Sequence, residues 1–297
     1  MDREWTASLR VRRKLFPHSI TLLWNKRKAE MKRIILGIIA FTAMAGAVAI
    51  SAQVSSPAQA PAPAQAPAPA PAPAQVSAPA LSADEVVNKY VDAVGGNDSI
   101  SKIKTMSMEG TMQVMGSEAP TKTTTVDGVG TKQESEFNGT KIISCYTDKS
   151  GWMVNPMAGA TDPTPMPDDQ YNTGKAGIYV GGLLYNYAAK GSTIELASKD
   201  DKSYTIKVTT KEKVKYTFLI DAKTYLVNTM TTEGQMQGQP VTITANYSDY
   251  RKTETGFMVP YGISLDFGQF QLSITVKKIE LNKTIDPAIF AMPKAGA

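Results

Sequence analysis

The fold is decided by a stretch that begins YTIKVTTKEKVKYTFLIDAKTYLVNTM at residues 204–230 and continues to residue 281. Apolar and polar residues alternate along it, so that Tyr204, Ile206 and Val208 share one face of a predicted strand. Turn residues follow the second strand at positions 221–224. A period of two with regular turns predicts antiparallel strands that bury one face.

The same alternation predicts the later strands of this meander. They are expected at residues 214–220, 225–232, 241–247, 259–267 and 270–281. Gly and Pro predict a turn-rich gap at residues 233–240. In the last strand the apolar residues occupy even-numbered positions up to Val276 and odd-numbered positions from Ile279, which predicts a bulge near Lys277 and Lys278.

The residues before the meander are expected to cover its apolar face. Ser82 and Glu85 fit a capping box at the start of a helix that Gly95 ends. Met106, Met108 and Met112 then lie on one side of a predicted strand. Shorter strands are predicted at residues 121–126, 132–137, 141–147 and 152–154.

Residues 155–191 break the strand pattern. Residues 155–167 are expected to form a loop, and the apolar residues Ile178, Leu183 and Leu184 predict a helix after it. Glycines at positions 174, 177, 181 and 182 weaken this helix, because each costs about 1 kcal/mol relative to Ala. The segment is either a lid that opens or an ordinary packed connection.

Charge and composition exclude several functions. The first 80 residues hold 10 of the 32 Lys and Arg residues but only 3 of the 27 Asp and Glu residues. The remaining residues therefore have a net charge of −2 rather than +5, so nucleic-acid binding is not expected. The one His, His18, lies in the leader, which excludes His-dependent catalysis and His-based metal sites from the rest of the chain.

The first 80 residues have three different compositions. Residues 1–30 are an upstream segment, compatible with a misassigned start, since Met31 begins a better leader. Residues 31–52 have the basic start, apolar run and small residues of a signal peptide. Cleavage is expected after Ala52 or, alternatively, after residues 47–49. The other interpretation of this segment is an uncleaved membrane anchor. Residues 53–80 are a Pro/Ala-rich linker, and residues 81–297 form one domain.

Possible chemistry in this domain is limited. The paired carboxylates Asp168–Asp169, Asp200–Asp201 and Glu134/Glu136 are expected to be solvated, and Cys145 to be a buried small apolar residue. The methionines, together with Trp152, suit either an adaptable apolar pocket or ordinary core packing. No cofactor is predicted.

Several motifs resemble those of LolA-like outer-membrane lipoprotein-sorting proteins. They are ADEVVNKY at residues 83–90 with Gly95–Gly96, IKTM at residues 103–106 with Gly110, residues 218–224, YSDYR at residues 247–251 with Pro260–Tyr261, and IELN at residues 279–282 with residues 285–287 and 290–293. One departure concerns an early-strand arginine that bonds to the lid in carriers of this family. After the leader, the chain has only Arg251, in a late turn region, so that role cannot be transferred.

The resemblance implies a mainly β, α+β fold, in which a strongly curved open antiparallel sheet forms a half-barrel with a helical lid over its concave face. It implies a periplasmic, non-catalytic carrier of lipid or lipoprotein acyl chains, with membrane sorting proteins as partners. The candidate ligand-binding residues are Met106, Met108, Met112, Trp152, Ile178, Leu183, Leu184, Tyr216 and Phe218. The alternative is a structural or sensory envelope module with a closed core.

Export has a direct test. If residues 31–52 are a cleaved signal peptide, the purified mature protein begins near Gln53, and N-terminal sequencing would show it. Retention of residues 34–50 would instead show an uncleaved anchor.

Overall fold

The computed structural model describes residues 81–156, 159–236 and 239–294. The predicted upstream segment, signal peptide and linker lie outside this part of the chain. Across the described residues, no helix has the length and apolar character needed to cross a bilayer.

One antiparallel sheet organises the described residues. Its strands are β1 (Thr105–Val114), β2 (Ser117–Val126), β3 (Gly130–Phe137), β4 (Thr140–Thr147), β5 (Gly151–Asn155), β6 (Ala160–Pro165), β7 (Thr193–Lys199), β8 (Ser203–Thr209), β9 (Lys215–Asp221), β10 (Val227–Met236), β11 (Gln239–Lys252), β12 (Met258–Asp266) and β13 (Gln271–Leu281). The spatial order is β6-β5-β4-β3-β2-β1-β13-β12-β11-β10-β9-β8-β7. The order begins at β6 and ends at β7, so the sheet is open. The chain forms two meanders, joined where β1 pairs with β13.

The predicted meander and its bulge are confirmed. Ile206, Val208 and Ile220 are fully buried, as the alternation in β8 and β9 requires. Between β1 and β13, the pairing moves from Glu109 with Lys278 to Gly110 with Val276. Lys277 is the extra residue of a β-bulge, which explains why the apolar residues of β13 change from even-numbered to odd-numbered positions.

Three predicted boundaries were wrong. The loop expected at residues 155–167 contains β6, whose prolines are tolerated because β6 is an edge strand. The gap expected at residues 233–240 is much shorter, because β10 continues to Met236 and Gln235 pairs with Pro240 at the start of β11. The predicted helix through Leu183 is mostly irregular, since its glycines favour turns.

The helices begin before β1. α1 (Ala83–Ala93) has the predicted capping box, in which the Ser82 hydroxyl accepts from the Glu85 amide and the Glu85 carboxylate accepts from the Ser82 amide. A short α2 (Gly96–Ser101) follows. Val86 and Val87 of α1 pack on β8, β9 and β10, so α1 covers one part of the concave face.

The rest of the concave face is covered by residues 166–192, which connect β6 to β7 and are named here the covering segment. It consists of α3 (Asp168–Gly174), a 3-10 helix at Lys175–Ile178, a run of turns and a second 3-10 helix at Ala188–Lys190. Because β6 and β7 are the opposite edges of the sheet, this connection crosses from one edge to the other.

The contacts of α3 show how strongly the sheet is curved. The Tyr171 hydroxyl donates to the Thr147 carbonyl of β4 at 3.2 Å, and the Tyr216 hydroxyl of β9 donates to the Thr173 carbonyl at 3.1 Å. Eight strand spacings separate β4 from β9, roughly 38 Å on a flat sheet. A helix of 7 residues is only about 10 Å long. The two arms of the sheet must therefore bend toward α3, and the predicted curved open sheet is confirmed.

Gly110 provides a test of the β1–β13 bulge. A Cβ atom at Gly110 would lie 2.3 Å from the Thr275 carbonyl oxygen. Gly110→Ala should therefore lower the free energy of unfolding by about 1–3 kcal/mol in urea denaturation, because the paired backbones would have to separate. The control is Gly177→Ala, whose Cβ would meet the Thr131 methyl at an ordinary 3.6 Å. Its expected change is below about 1 kcal/mol, and equal effects of the two substitutions would contradict the close packing.

Candidate functional site

A cavity of about 400 Å³ lies between the covering segment and the concave face. Its floor consists of β9, β10, β11 and β12, and Tyr90 of α1 reaches it from one side. Ligand pockets in proteins commonly occupy roughly 300–1,000 Å³. The space is therefore large enough for an apolar ligand.

The glycines of the covering segment help to form this space. Gly174, Gly177, Gly181 and Gly182 all line the cavity. Gly182 has a φ of +70°, a conformation that side chains disfavour, and a Cβ there would meet nothing within 4 Å. These residues allow turns in place of a regular helix and leave room beneath them.

The lining of the cavity carries no charge. Among the described residues, those that line it are apolar, glycine, threonine or tyrosine, without Lys, Arg, His, Asp or Glu. Phe218, Met230, Ile243 and Leu265 form much of the apolar wall. A charged ligand group would have no opposite charge beside it there, and its burial would be costly.

Besides Tyr179, four tyrosines line the cavity and supply much of its polarity: Tyr90, Tyr216, Tyr247 and Tyr250. The Tyr250 hydroxyl donates to the Val227 carbonyl at 2.8 Å, and Tyr216 bonds to α3 as described above. Burial raises the pKa of Tyr247 to about 12. Burial, and then the proximity of Tyr247, raises the pKa of Tyr90. All four phenols are therefore neutral hydroxyls at physiological pH.

Hydrogen bonds hold the covering segment to the β2–β3 turn. The Asp127 carboxylate accepts from the Val180 amide at 2.9 Å, and the Gly128 amide donates to the Ile178 carbonyl at 3.0 Å. The arginine discussed in the sequence analysis, Arg251, instead pairs with Asp249 and lies over the Tyr261 ring at 4.5 Å. The Asp127 side chain thus attaches the covering segment to the β2–β3 turn.

Lys190 holds the turns together from within the segment. Its ammonium donates to the Gly182 carbonyl at 2.7 Å and also to the Tyr185 carbonyl. It lies over the Tyr179 ring at 4.6 Å. Burial lowers the pKa of Lys190 to about 8, an effect that the Asp127 carboxylate partly offsets.

The structure brings together four of the residues that the sequence nominated for ligand binding. Leu183, Leu184, Tyr216 and Phe218 all line the cavity. Leu184 is also buried against β8, β9 and β10, whereas Leu183 is only half-buried.

The other five nominated residues lie outside the cavity lining. Met106 and Met108 pack with Val180 and the residues of β12 and β13, and Met112 packs in a separate cluster with Phe267 and Ile243. Trp152 packs with Cys145 and Phe290, and Ile178 with Tyr146 and Met166. The methionines of β1 therefore contact residues of the cavity wall such as Val180 but are not part of the described lining.

Tyr90, Tyr247 and Tyr250 were not nominated from the sequence. Tyr90 belongs to the apolar stripe of α1, which could have identified it as facing the sheet. Tyr247 and Tyr250 are three residues apart, so regular alternation places them on opposite faces. Asp249 between them has a φ of +53°, and this break in the strand brings both tyrosines to the cavity.

Comparisons with known proteins find similar solved structures. One is a LolA superfamily protein from Nitrosomonas europaea, with 12% identity, a TM-score of 0.49 and coverage of 71% of this chain and 98% of that chain. Another is an outer membrane lipoprotein-sorting protein domain from Vibrio parahaemolyticus, with 10% identity, a TM-score of 0.46 and coverage of 70% and 95%. A DUF1329 family protein from Desulfovibrio piger has 12% identity, a TM-score of 0.48 and coverage of 70% and 97%.

No family model matches the chain. No curated protein matches it either.

The structure also locates the side chains that were considered for nucleophilic and metal chemistry. Within the described ranges, no three His, Cys, Asp or Glu residues lie close enough to hold a metal ion. The Cys145 thiol is fully buried and donates to the Phe290 carbonyl at 3.4 Å. Burial raises the pKa of this thiol to about 12, although Lys132 partly opposes the shift.

The buried thiol leads to a test. Alkylation requires the thiolate, so folded protein should react with iodoacetamide at about pH 8.5 far more slowly than protein unfolded in guanidinium. Mass spectrometry of the modified chain measures the difference. Comparable rates in the two states would show that Cys145 is accessible and ionised.

Proposed function

We propose that this protein is a non-catalytic carrier or binding protein for the acyl chains of lipids or lipoproteins. The uncharged cavity beneath the covering segment is the observation that carries this proposal. A closed core without free space would favour the structural module instead. Burial of an acyl chain contributes about 0.8 kcal/mol per methylene, so even part of a chain supplies useful affinity.

The structure of the covering segment supports a carrier rather than a permanent store. Turns and short helices enclose the cavity on this side, and a few hydrogen bonds such as Asp127 to Val180 attach them to the sheet. Segments of this kind can open locally at low free-energy cost. Opening would expose the cavity while the paired strands of the sheet remain folded.

The finer statements of the proposal rest on the leader and on the family resemblance. A signal peptide at residues 31–52 would place the domain in the periplasm. There the linker at residues 53–80 would act as a spacer before the domain. Delivery of lipoproteins toward the outer membrane, with membrane sorting proteins as partners, is the role that the LolA-like motifs suggest.

Leu183→Asp tests ligand binding. Leu183 lines the cavity and is only half-buried, so the variant should fold, yet its carboxylate would enter an uncharged space. Affinity for a pyrene-labelled fatty-acyl methyl ester, measured by fluorescence titration, should fall more than about tenfold.

The matched control is Leu219→Asp, because Leu219 is an exposed leucine of β9. It should bind the ester as the unchanged protein does. Equal binding by both variants would contradict the assignment of the cavity. A failure of the unchanged protein to bind the ester would favour a structural module.

A further inference from the structure

Two hydroxyls of the cavity, those of Tyr90 and Tyr247, have no strong hydrogen-bond acceptor among the described residues. Among the described residues, the Tyr90 hydroxyl has no hydrogen-bond partner, although the ring lines the cavity. The Tyr247 hydroxyl donates to the Met230 sulfur at 3.9 Å, and a thioether is a weak acceptor. In Tyr216 and Tyr250, by contrast, the hydroxyl proton is already donated to a backbone carbonyl.

Unsatisfied hydroxyls are unusual in an apolar space. Tyr90 and Tyr247 are half-buried side chains that line the cavity, so a ligand in this space can supply the acceptor that their hydroxyls lack. Tyr90 and Tyr247 line the same cavity and pack against the same apolar cluster of α1, β8, β9 and β10. Both hydroxyls are therefore neutral donors that can address one ligand atom.

The charge of the cavity restricts what that ligand atom can be. No Lys, Arg or His lines the cavity in the described chain, and the nearby Lys190 ammonium already donates to the Gly182 and Tyr185 carbonyls, so a buried carboxylate or phosphate would have no counter-ion in direct contact. A carbonyl oxygen is uncharged and has two lone pairs, so it can accept from both hydroxyls. It also brings no donor of its own that would need a further partner.

We propose that Tyr90 and Tyr247 form a polar subsite that binds the carbonyl oxygen of an ester- or amide-linked acyl group. This inference rests on the proposed acyl-chain binding. It adds that the protein selects neutral acyl groups over free fatty-acid anions. The apolar wall then holds the chain, and the two hydroxyls set its position along the cavity.

The test uses the domain with three pyrene-labelled ligands of one chain length: a methyl ester, the free carboxylate and a hydrocarbon without oxygen. At about pH 8 the carboxylate is ionised. We expect the ester to bind at least about tenfold more tightly than the carboxylate.

Removal of single hydroxyls tests the two tyrosines. Tyr90→Phe and Tyr247→Phe should each weaken ester binding by roughly 2- to 12-fold and leave hydrocarbon binding unchanged. Tyr250→Phe is the matched control, because its hydroxyl already donates to Val227. It should leave the ratio of ester to hydrocarbon affinity unchanged. Urea denaturation of each variant checks that the fold is retained.

Competition separates two natural sources of such a carbonyl. A diacylglycerol and a peptide with a triacylated N-terminal cysteine would each compete with the labelled ester. Displacement by either supports the subsite, and the tighter competitor identifies the source. Displacement by neither, with the ester bound, would overturn the inference.

Two further outcomes separate this inference from the proposed function. If the carboxylate binds as tightly as the ester, or if Tyr90→Phe and Tyr247→Phe weaken ester and hydrocarbon equally, the subsite is wrong while acyl binding stands. If none of the three ligands binds, the proposed function fails, and the subsite fails with it.

Discussion

The structure depends on how the concave apolar face of the sheet is covered. β6 and β7 are the opposite edges of the sheet, so the covering segment between them has to cross that face. α3 bonds to β4 through Tyr171 and to β9 through Tyr216, which draws the two arms together. Curvature and cover therefore depend on each other. The curvature brings β4 and β9 within hydrogen-bonding distance of α3, and these hydrogen bonds in turn hold the two arms of the sheet together.

The cavity follows from an incomplete cover. A regular helix with large side chains would fill the space over β9–β12, whereas the glycine-rich turns leave it open. Two side chains compensate for the missing helical hydrogen bonds. Asp127, in the β2–β3 turn, accepts from the Val180 amide, and Lys190, within the covering segment, donates to the Gly182 carbonyl. The same feature thus provides free volume and a cover of turns and short helices rather than one regular helix.

Function then depends on what lines the space. Phenylalanine, methionine and aliphatic side chains favour an acyl chain, and the absence of charged residues from the described lining disfavours an anion. The tyrosines have two different roles. Tyr216 and Tyr250 bond to the backbone and stabilise the walls, while Tyr90 and Tyr247 keep hydroxyls available for a ligand.

The sequence by itself determined the features that depend on neighbouring residues. The alternation in β8 and β9, the capping box at Ser82 and the bulge at Lys277 are all local patterns, and all are present. Tertiary structure alone decided which residues meet in the cavity. Tyr90 and Tyr247 are far apart in the chain, and strand order and curvature bring them together, while the φ of Asp249 turns Tyr250 to the same side. The methionines of β1 have the right composition for a pocket, but they are not part of its described lining, because β1 pairs with β2 and β13 rather than with the strands of its floor.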